Sequence, residues 1–116
     1  MKGEWTAEQE QLGQTLANFA ATELAPRAAE LDEVEGFNDS AFRKMADLGL
    51  LGITASEEYG GAHQGCVEAT LVMEKFGAAC ASTTLSYLAH SILCVNNLNE
   101  NASAAQKQKY LPNLIS

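Results

Sequence analysis

A chain of 116 residues has the length of one domain and can bury a single modest core. Hydrophobic residues make up 47% of it and charged residues 19%, which excludes the disordered class of low hydrophobicity and high charge. Seven basic and fifteen acidic residues give a net charge of −8, which repels nucleic-acid phosphates and anionic lipids. We therefore expect no nucleic-acid partner and no membrane insertion.

The first segment shows the pattern of an amphipathic helix interrupted by a proline. Thr6 and Gln9 have the spacing of a capping box, and apolar residues follow at intervals of three and four. Pro26 cannot donate a backbone hydrogen bond and clashes with the preceding turn, so it predicts a break or kink. A short second helix is expected to follow and to end near Gly36.

A third helix is predicted after a polar cap at residue 38 or 39. Its apolar face is expected to comprise Ala41, Phe42, Met45 and Leu48. Gly49 stands where a left-handed residue commonly ends a helix.

Residues 50–65 are rich in glycine and polar side chains, which predicts a long ordered loop. Residues 50–54 alone are ambiguous with a strand. The glycines here match neither of the common phosphate-binding patterns, so we expect Gly60 or Gly61 to supply a positive φ in a turn.

The second half predicts three more helices. A fourth covers about residues 66–80, and a fifth opens at Ser82 or Thr83 with an apolar stripe too broad for a helix that has one face in water. Ser103 and Gln106 form a second capping box for a last helix that ends by Pro112. The fold class is therefore all-α, an up-and-down bundle of about six helices over residues 1–116.

The cysteines and the first residues of the chain indicate the cellular compartment of the protein. Cys66, Cys80 and Cys94 are odd in number and lack the spacing of a zinc site, so we expect buried, reduced thiols in a reducing compartment. The first residues have no apolar signal core, and no apolar run approaches the ~20 residues of a membrane span. We expect a protein that is not secreted.

No group of residues has the spacing of a catalytic or metal site. His63 and His90 are far apart in sequence, and His90, on the apolar fifth helix, is expected to be a hydrogen-bonded structural residue. The acidic residues are expected to be solvated, because nothing in the sequence indicates a pair with separated pKa values. We therefore predict no catalytic, cofactor-binding or metal-binding residue in this chain.

Three blocks of sequence resemble the N-terminal domain of acyl-CoA dehydrogenases in order and spacing. They are Leu48-Gly49-Leu50-Leu51-Gly52-Ile53, Glu57-Glu58-Tyr59-Gly60-Gly61 and Gln106-Lys107-Gln108-Lys109-Tyr110-Leu111-Pro112. The similarity extends from Thr6 to Ser116. Within the family, the stretch from Leu85 to Cys94 is most similar to the isovaleryl-CoA dehydrogenase branch.

The resemblance implies an FAD-dependent enzyme that converts an acyl-CoA to the trans-2-enoyl-CoA and passes electrons to an electron-transfer flavoprotein. In that family a glutamate removes the α-proton while a hydride leaves the β-carbon for the flavin. That glutamate and most of the FAD and CoA contacts lie in a middle β domain and a C-terminal helical domain that follow the first domain. The family also implies a homotetramer in the mitochondrial matrix or the bacterial cytoplasm.

For this chain the resemblance implies one binding role. The fifth helix of the family's first domain lines the blind end of the acyl pocket, which assigns a pocket wall to Leu85, Leu88, Ala89, Ile92 and Leu93. Leu88 stands where close relatives carry a small residue, so the pocket is expected to be short or reshaped and to favour a short or branched acyl-CoA. Ser56 replaces a usual proline, and His63 a usual glycine.

A second hypothesis comes from a different class of protein. A stand-alone helical module could use the apolar fifth helix to dock another protein. For the isolated chain the first hypothesis predicts no bound flavin and no activity.

Overall fold

The computed structural model describes residues 3–116, and every regular element in that range is a helix. The elements are α1 (Ala7–Phe19), a π turn (Ala20–Leu24), a 3-10 turn (Ala25–Arg27), α2 (Ala28–Val34), α3 (Asp39–Asp47), a 3-10 turn (Glu57–Tyr59), α4 (Cys66–Ala79), α5 (Ala81–Tyr87), a π segment (Leu88–Asn96), α6 (Asn97–Asn101) and α7 (Ala104–Ile115). When directly joined elements are counted together, the described residues form five helices and one isolated 3-10 turn, Glu57–Tyr59. The all-α class is confirmed.

The first helical body changes its winding where its proline lies. Thr6 and Gln9 form the expected capping box, with Gln9 N donating to Thr6 Oγ1 over 3.1 Å and Thr6 N donating to Gln9 Oε1 over 3.0 Å. The winding tightens to a 3-10 turn at Pro26 and then resumes as α2. α2 ends at Val34, followed by Glu35 in the left-handed region at φ 53°.

The long loop is ordered by its own backbone hydrogen bonds. Asn38 caps α3, and Gly49 follows that helix with a φ of 75°, both as expected. Residues 50–54 form turns rather than a strand. Ala62 N donates to Gly52 O over 3.0 Å, and Gln64 N donates to Ile53 O over 2.8 Å, so the loop folds back on itself.

One main core and a smaller one hold the helices together. The main cluster joins α1, α3, α4 and α5 with the start of the loop, and it contains Phe19 stacked on Phe76 with ring centroids 5.3 Å apart. The smaller cluster is Ala55, Tyr59, Val95, Leu111 and Ile115. It fixes α7 and the loop against residues 81–101, which we call the long helix.

Three details of the sequence-based expectation were wrong. Only Cys80 is buried; Cys94 is half-buried, and Cys66 is exposed because it begins α4 on the side away from the core. α7 runs past Pro112 to Ile115, because burial of Leu111 and Ile115 offsets the one ladder bond that proline removes. Leu48, beyond the end of α3, is 50% exposed rather than part of its buried face.

Over residues 3–116, no helix combines the length and the apolar character that a bilayer crossing requires.

Candidate functional site

The long helix changes its winding midway. It opens as α5 at Ala81, one residue before the predicted start, passes into a nine-residue π segment and ends as α6. Four of the five residues assigned to the pocket wall lie in the π segment. Because π turns inside α-helices often occur at functional sites, the π winding makes this stretch a candidate functional site.

Burial along the long helix repeats every four residues. Thr83, Tyr87, Ser91 and Val95 are buried and form what we call the core row. Leu85, Ala89 and Leu93 are exposed and form what we call the outer row. In a uniform α-helix, a step of four residues rotates about 40° beyond one full turn. Residues spaced four apart would therefore drift around the helix axis instead of staying on one side. The wider π turn compensates for this overshoot and keeps each row on one side.

The outer row is an apolar strip on the surface of the described chain. Leu85 is 66% exposed and Leu93 is 64% exposed, whereas the core row on the other side of the same helix is buried. Leu88 and Ile92 flank the row and are half-buried, and Ile92 also packs against the main core. All five sequence-assigned residues are thus on one helix, three in the exposed row and two beside it.

The strip carries no formal charge. Between Lys75 and Glu100 the sequence has no Asp, Glu, Lys or Arg. A surface of this kind suits a hydrocarbon rather than a ligand with a charged end.

A buried hydrogen bond fixes the long helix to the loop. The Tyr87 hydroxyl donates to the carbonyl oxygen of Leu50 over 2.8 Å. Tyr87 is fully buried, and burial raises the pKa of its hydroxyl above the ordinary value. At the other end of the helix, Asn99 Oδ1 accepts from Ser56 N over 3.0 Å and from Ser56 Oγ over 3.1 Å.

His90 is held from two sides. Its Nε2 lies 2.8 Å from the carbonyl oxygen of Leu114 in the last turn of α7. Its ring meets that of Phe42 edge-on, with centroids 6.2 Å apart. The expectation of a hydrogen-bonded histidine is confirmed, whereas both partners lie far away in sequence and could not be identified from it.

A separate cavity of about 210 Å³ lies between the start of α1, the end of α3 and the start of α4. At its edge the Glu68 carboxylate accepts hydrogen bonds from Gln9 Nε2 and Gly65 N, each over 3.0 Å. The Gln9 bond is the main reason that the pKa of Glu68 falls below its usual value. A carboxylate stabilised in this way is a poor proton acceptor near neutral pH.

Two glycines of the loop are required by its backbone conformation and packing. Gly60 has a φ of 96°, which confirms the expected positive φ. A Cβ on Gly61 would lie 2.0 Å from the carbonyl oxygen of Ala55, so only glycine fits the close backbone approach there. Among residues 3–116 there is also no group of three or more His, Cys, Asp or Glu side chains that could hold a metal ion.

Comparisons with known proteins agree on one family. A family model described as "Acyl-CoA dehydrogenase, N-terminal domain" matches residues 6–116. Mitochondrial isovaleryl-CoA dehydrogenase of Pongo abelii is 48% identical over 111 residues, which are 94% of this chain and 26% of that protein. The short-chain specific acyl-CoA dehydrogenase of Clostridium acetobutylicum is 40% identical over 106 residues, 91% of this chain and 28% of that protein.

Solved structures show the same likeness. A glutaryl-coenzyme A dehydrogenase in complex with glutaryl-CoA matches with a TM-score of 0.91 and 27% identity over 99% of this chain and 30% of its own. A chain from a structure of the electron transferring flavoprotein of Acidaminococcus fermentans matches with a TM-score of 0.90 and 29% identity, over 99% and 30%. The chain spans about a quarter of the length of the curated relatives it matches.

Proposed function

Because the chain belongs to the acyl-CoA dehydrogenase family, as its N-terminal domain, we propose that it forms the acyl-pocket wall of an FAD-dependent enzyme. The complete protein would desaturate an acyl-CoA thioester between its α and β carbons. In this chain the wall is Leu85, Leu88, Ala89, Ile92 and Leu93.

The observation that carries the proposal is the exposure of the outer row. Two leucines that are each about two-thirds exposed lie one helical turn on either side of Ala89. At about 25 cal/mol per Å² of apolar surface, covering such side chains with a hydrocarbon is favourable. We expect the acyl tail to lie against the row at Ala89, whose side chain is the smallest of the three.

Such a wall would help the reaction in two ways, by positioning the acyl chain and by excluding water from the site. The α-proton of a thioester is weakly acidic, so its removal requires a base and a substrate held in register. An apolar wall holds the tail in register and keeps water from the site. No residue of this chain is assigned to proton or hydride transfer.

Leu88 favours a short or branched acyl group. It flanks the outer row at Ala89, and its side chain narrows the space beside the row more than a small residue would. The similarity to isovaleryl-CoA and short-chain acyl-CoA dehydrogenases supports the same substrate class.

The remaining functions are proposed for the parts of the protein that follow this domain. The glycines of this chain match neither of the common phosphate-binding patterns, and a net charge of −8 opposes binding of the CoA phosphates. We therefore assign FAD, the CoA moiety and the catalytic glutamate to the middle and C-terminal domains. The proposed partner is an electron-transfer flavoprotein, the proposed assembly a homotetramer, and the compartment the mitochondrial matrix or bacterial cytoplasm.

The exposed outer row also favours a second candidate, a helical module that docks another protein. The reading frame after Ser116 distinguishes the two. A frame that continues into a flavin-contacting β domain supports the enzyme, and a stop codon supports the module.

The test of the enzyme is to purify the complete protein and measure oxidation of a panel of acyl-CoAs with an artificial electron acceptor. The expected result is a flavin spectrum together with the highest kcat/KM on short or branched substrates. A flavin-free protein that oxidises no acyl-CoA would refute the proposal.

A further inference from the structure

We propose that His90 is a positioning residue, which sets the acyl-pocket wall by holding the long helix to the last turn of α7. This inference rests on the proposed function. His90 lies between Ala89 and Leu93 in the π segment, so whatever fixes its ring also fixes two residues of the outer row.

The geometry assigns the proton on the imidazole ring. A backbone carbonyl oxygen can only accept a hydrogen bond, and Nε2 lies 2.8 Å from that of Leu114. Nε2 therefore carries the hydrogen and donates it. The neutral ring is the Nε2–H tautomer, an assignment made from the partner.

The carbonyl oxygen of Leu114 has no hydrogen-bond donor within its own helix. The last four carbonyl oxygens of an α-helix have no N–H within that helix, and Leu114 is next to the last residue of α7. His90 satisfies this carbonyl from the side. The bond thereby joins the outer row to the point where the chain leaves α7.

The second contact prevents the ring from turning away. The Phe42 ring on α3 meets the His90 ring at 85°, and Phe42 in turn packs against Phe37 with centroids 4.8 Å apart. An imidazole held by a hydrogen bond on one side and an aromatic ring on another has one orientation. The long helix is then tied to α3 and α7 at the same residue.

The consequence is a fixed distance between the wall and whatever chain follows α7. Burial of Val95 with Leu111 and Ile115 brings α7 near the long helix, but apolar packing alone permits small sliding movements. A directed hydrogen bond from the π segment removes this freedom. Loss of the bond should therefore reduce the selectivity between acyl chain lengths more than it reduces kcat on the preferred substrate.

The test compares His90→Gln, which keeps a side-chain N–H donor, with His90→Leu, which keeps volume without one. Both are made in the complete protein, with His63→Gln in the exposed loop as the matched control. We measure kcat and KM on a short branched and a long straight acyl-CoA, and the melting temperature of each variant. A second measurement, the ¹⁵N shifts of the His90 imidazole in the parent, does not depend on any variant folding.

The inference predicts that His90→Leu lowers the ratio of kcat/KM values for the two substrates by about fivefold, the equivalent of one net hydrogen bond. His90→Gln should largely restore that ratio, and the control should not change it. An unchanged ratio in His90→Leu, with or without a lower melting temperature, would overturn the inference, as would an Nδ1–H tautomer. A parent protein that oxidises no acyl-CoA would instead overturn the proposed function.

Discussion

The Tyr87 hydroxyl donates a hydrogen bond of 2.8 Å to the carbonyl oxygen of Leu50, and both residues are buried. The bond joins the long helix to the first turn of the loop across 37 residues of sequence. It lies on the core row, so it also determines that the outer row faces away from the bundle.

Tyr87→Phe is expected to lower the free energy of unfolding by about 1–2 kcal/mol, because a buried carbonyl loses its side-chain donor. Burial raises the pKa of Tyr87 in the folded state above that of the unfolded chain. The stability linked to this shift is therefore complete below about pH 10, the ordinary tyrosine value, and is lost as the pH rises above it. Urea unfolding from pH 8 to 11 should show a steeper alkaline loss in the parent than in Tyr87→Phe, and equal slopes would contradict this account.

Glu68→Gln is expected to flatten the acid side of the stability profile. The pKa of Glu68 is lowered in the folded protein, so its contribution is present above the unfolded value of about 4.3 and is lost as the pH falls. Unfolding measured between pH 6 and pH 3 should show a smaller loss in Glu68→Gln than in the parent. Glu74→Gln, an exposed substitution on the same helix, is the control and should follow the parent.

His63→Gly is expected to stabilise the fold. His63 has a φ of 52°, in the left-handed region, where a side chain costs about 1 kcal/mol that glycine avoids. Its side chain is exposed, so little packing would be lost. Gln64→Gly next to it, at a residue without positive φ, should be neutral or destabilising. Thermal unfolding measures both, and a lower melting temperature for His63→Gly would show that the loop is not strained there.

Local signals predicted the helix starts well. The capping boxes of Thr6 with Gln9 and of Ser103 with Gln106 are both present, because each depends on residues three positions apart. A positive φ was predicted at Gly49 and at Gly60 or Gly61, because glycine adopts this conformation without a steric cost, and Gly49 and Gly60 have it.

Features that depend on distant residues could not be predicted. Pro112 alone predicts the end of a helix, yet α7 continues to Ile115 because the Ile115 side chain is buried in the smaller core. The π winding from Leu88 to Asn96 also could not be predicted, since the mostly apolar stretch does not distinguish a π turn from an α turn. That winding decides which side chains form the outer row. The five residues assigned to the pocket wall do lie on one helix, but the sequence did not divide them between exposed and half-buried positions.

Residues 1–116 expressed alone are expected to self-associate through the outer row. Leu85 and Leu93 are exposed and uncharged neighbours surround them, so a second apolar surface would cover them favourably. Leu85→Lys with Leu93→Lys should reduce the mass measured by light scattering, because two ammonium groups would oppose such contact. Val67→Lys, at a residue 51% exposed on α4, is the matched control and should leave the mass unchanged. A parent that stays monomeric at high concentration would speak against this prediction.

The most direct test of the pocket wall is the chain-length preference of the complete protein with Leu88 reduced in size. Leu88→Ala and Leu88→Gly both remove side-chain volume beside the outer row, and only glycine adds a helix cost of about 1 kcal/mol. The account predicts that both variants shift the highest kcat/KM toward longer acyl-CoAs. If both keep the parent's preference, the long helix does not line the acyl pocket at Leu88, and the central claim is contradicted.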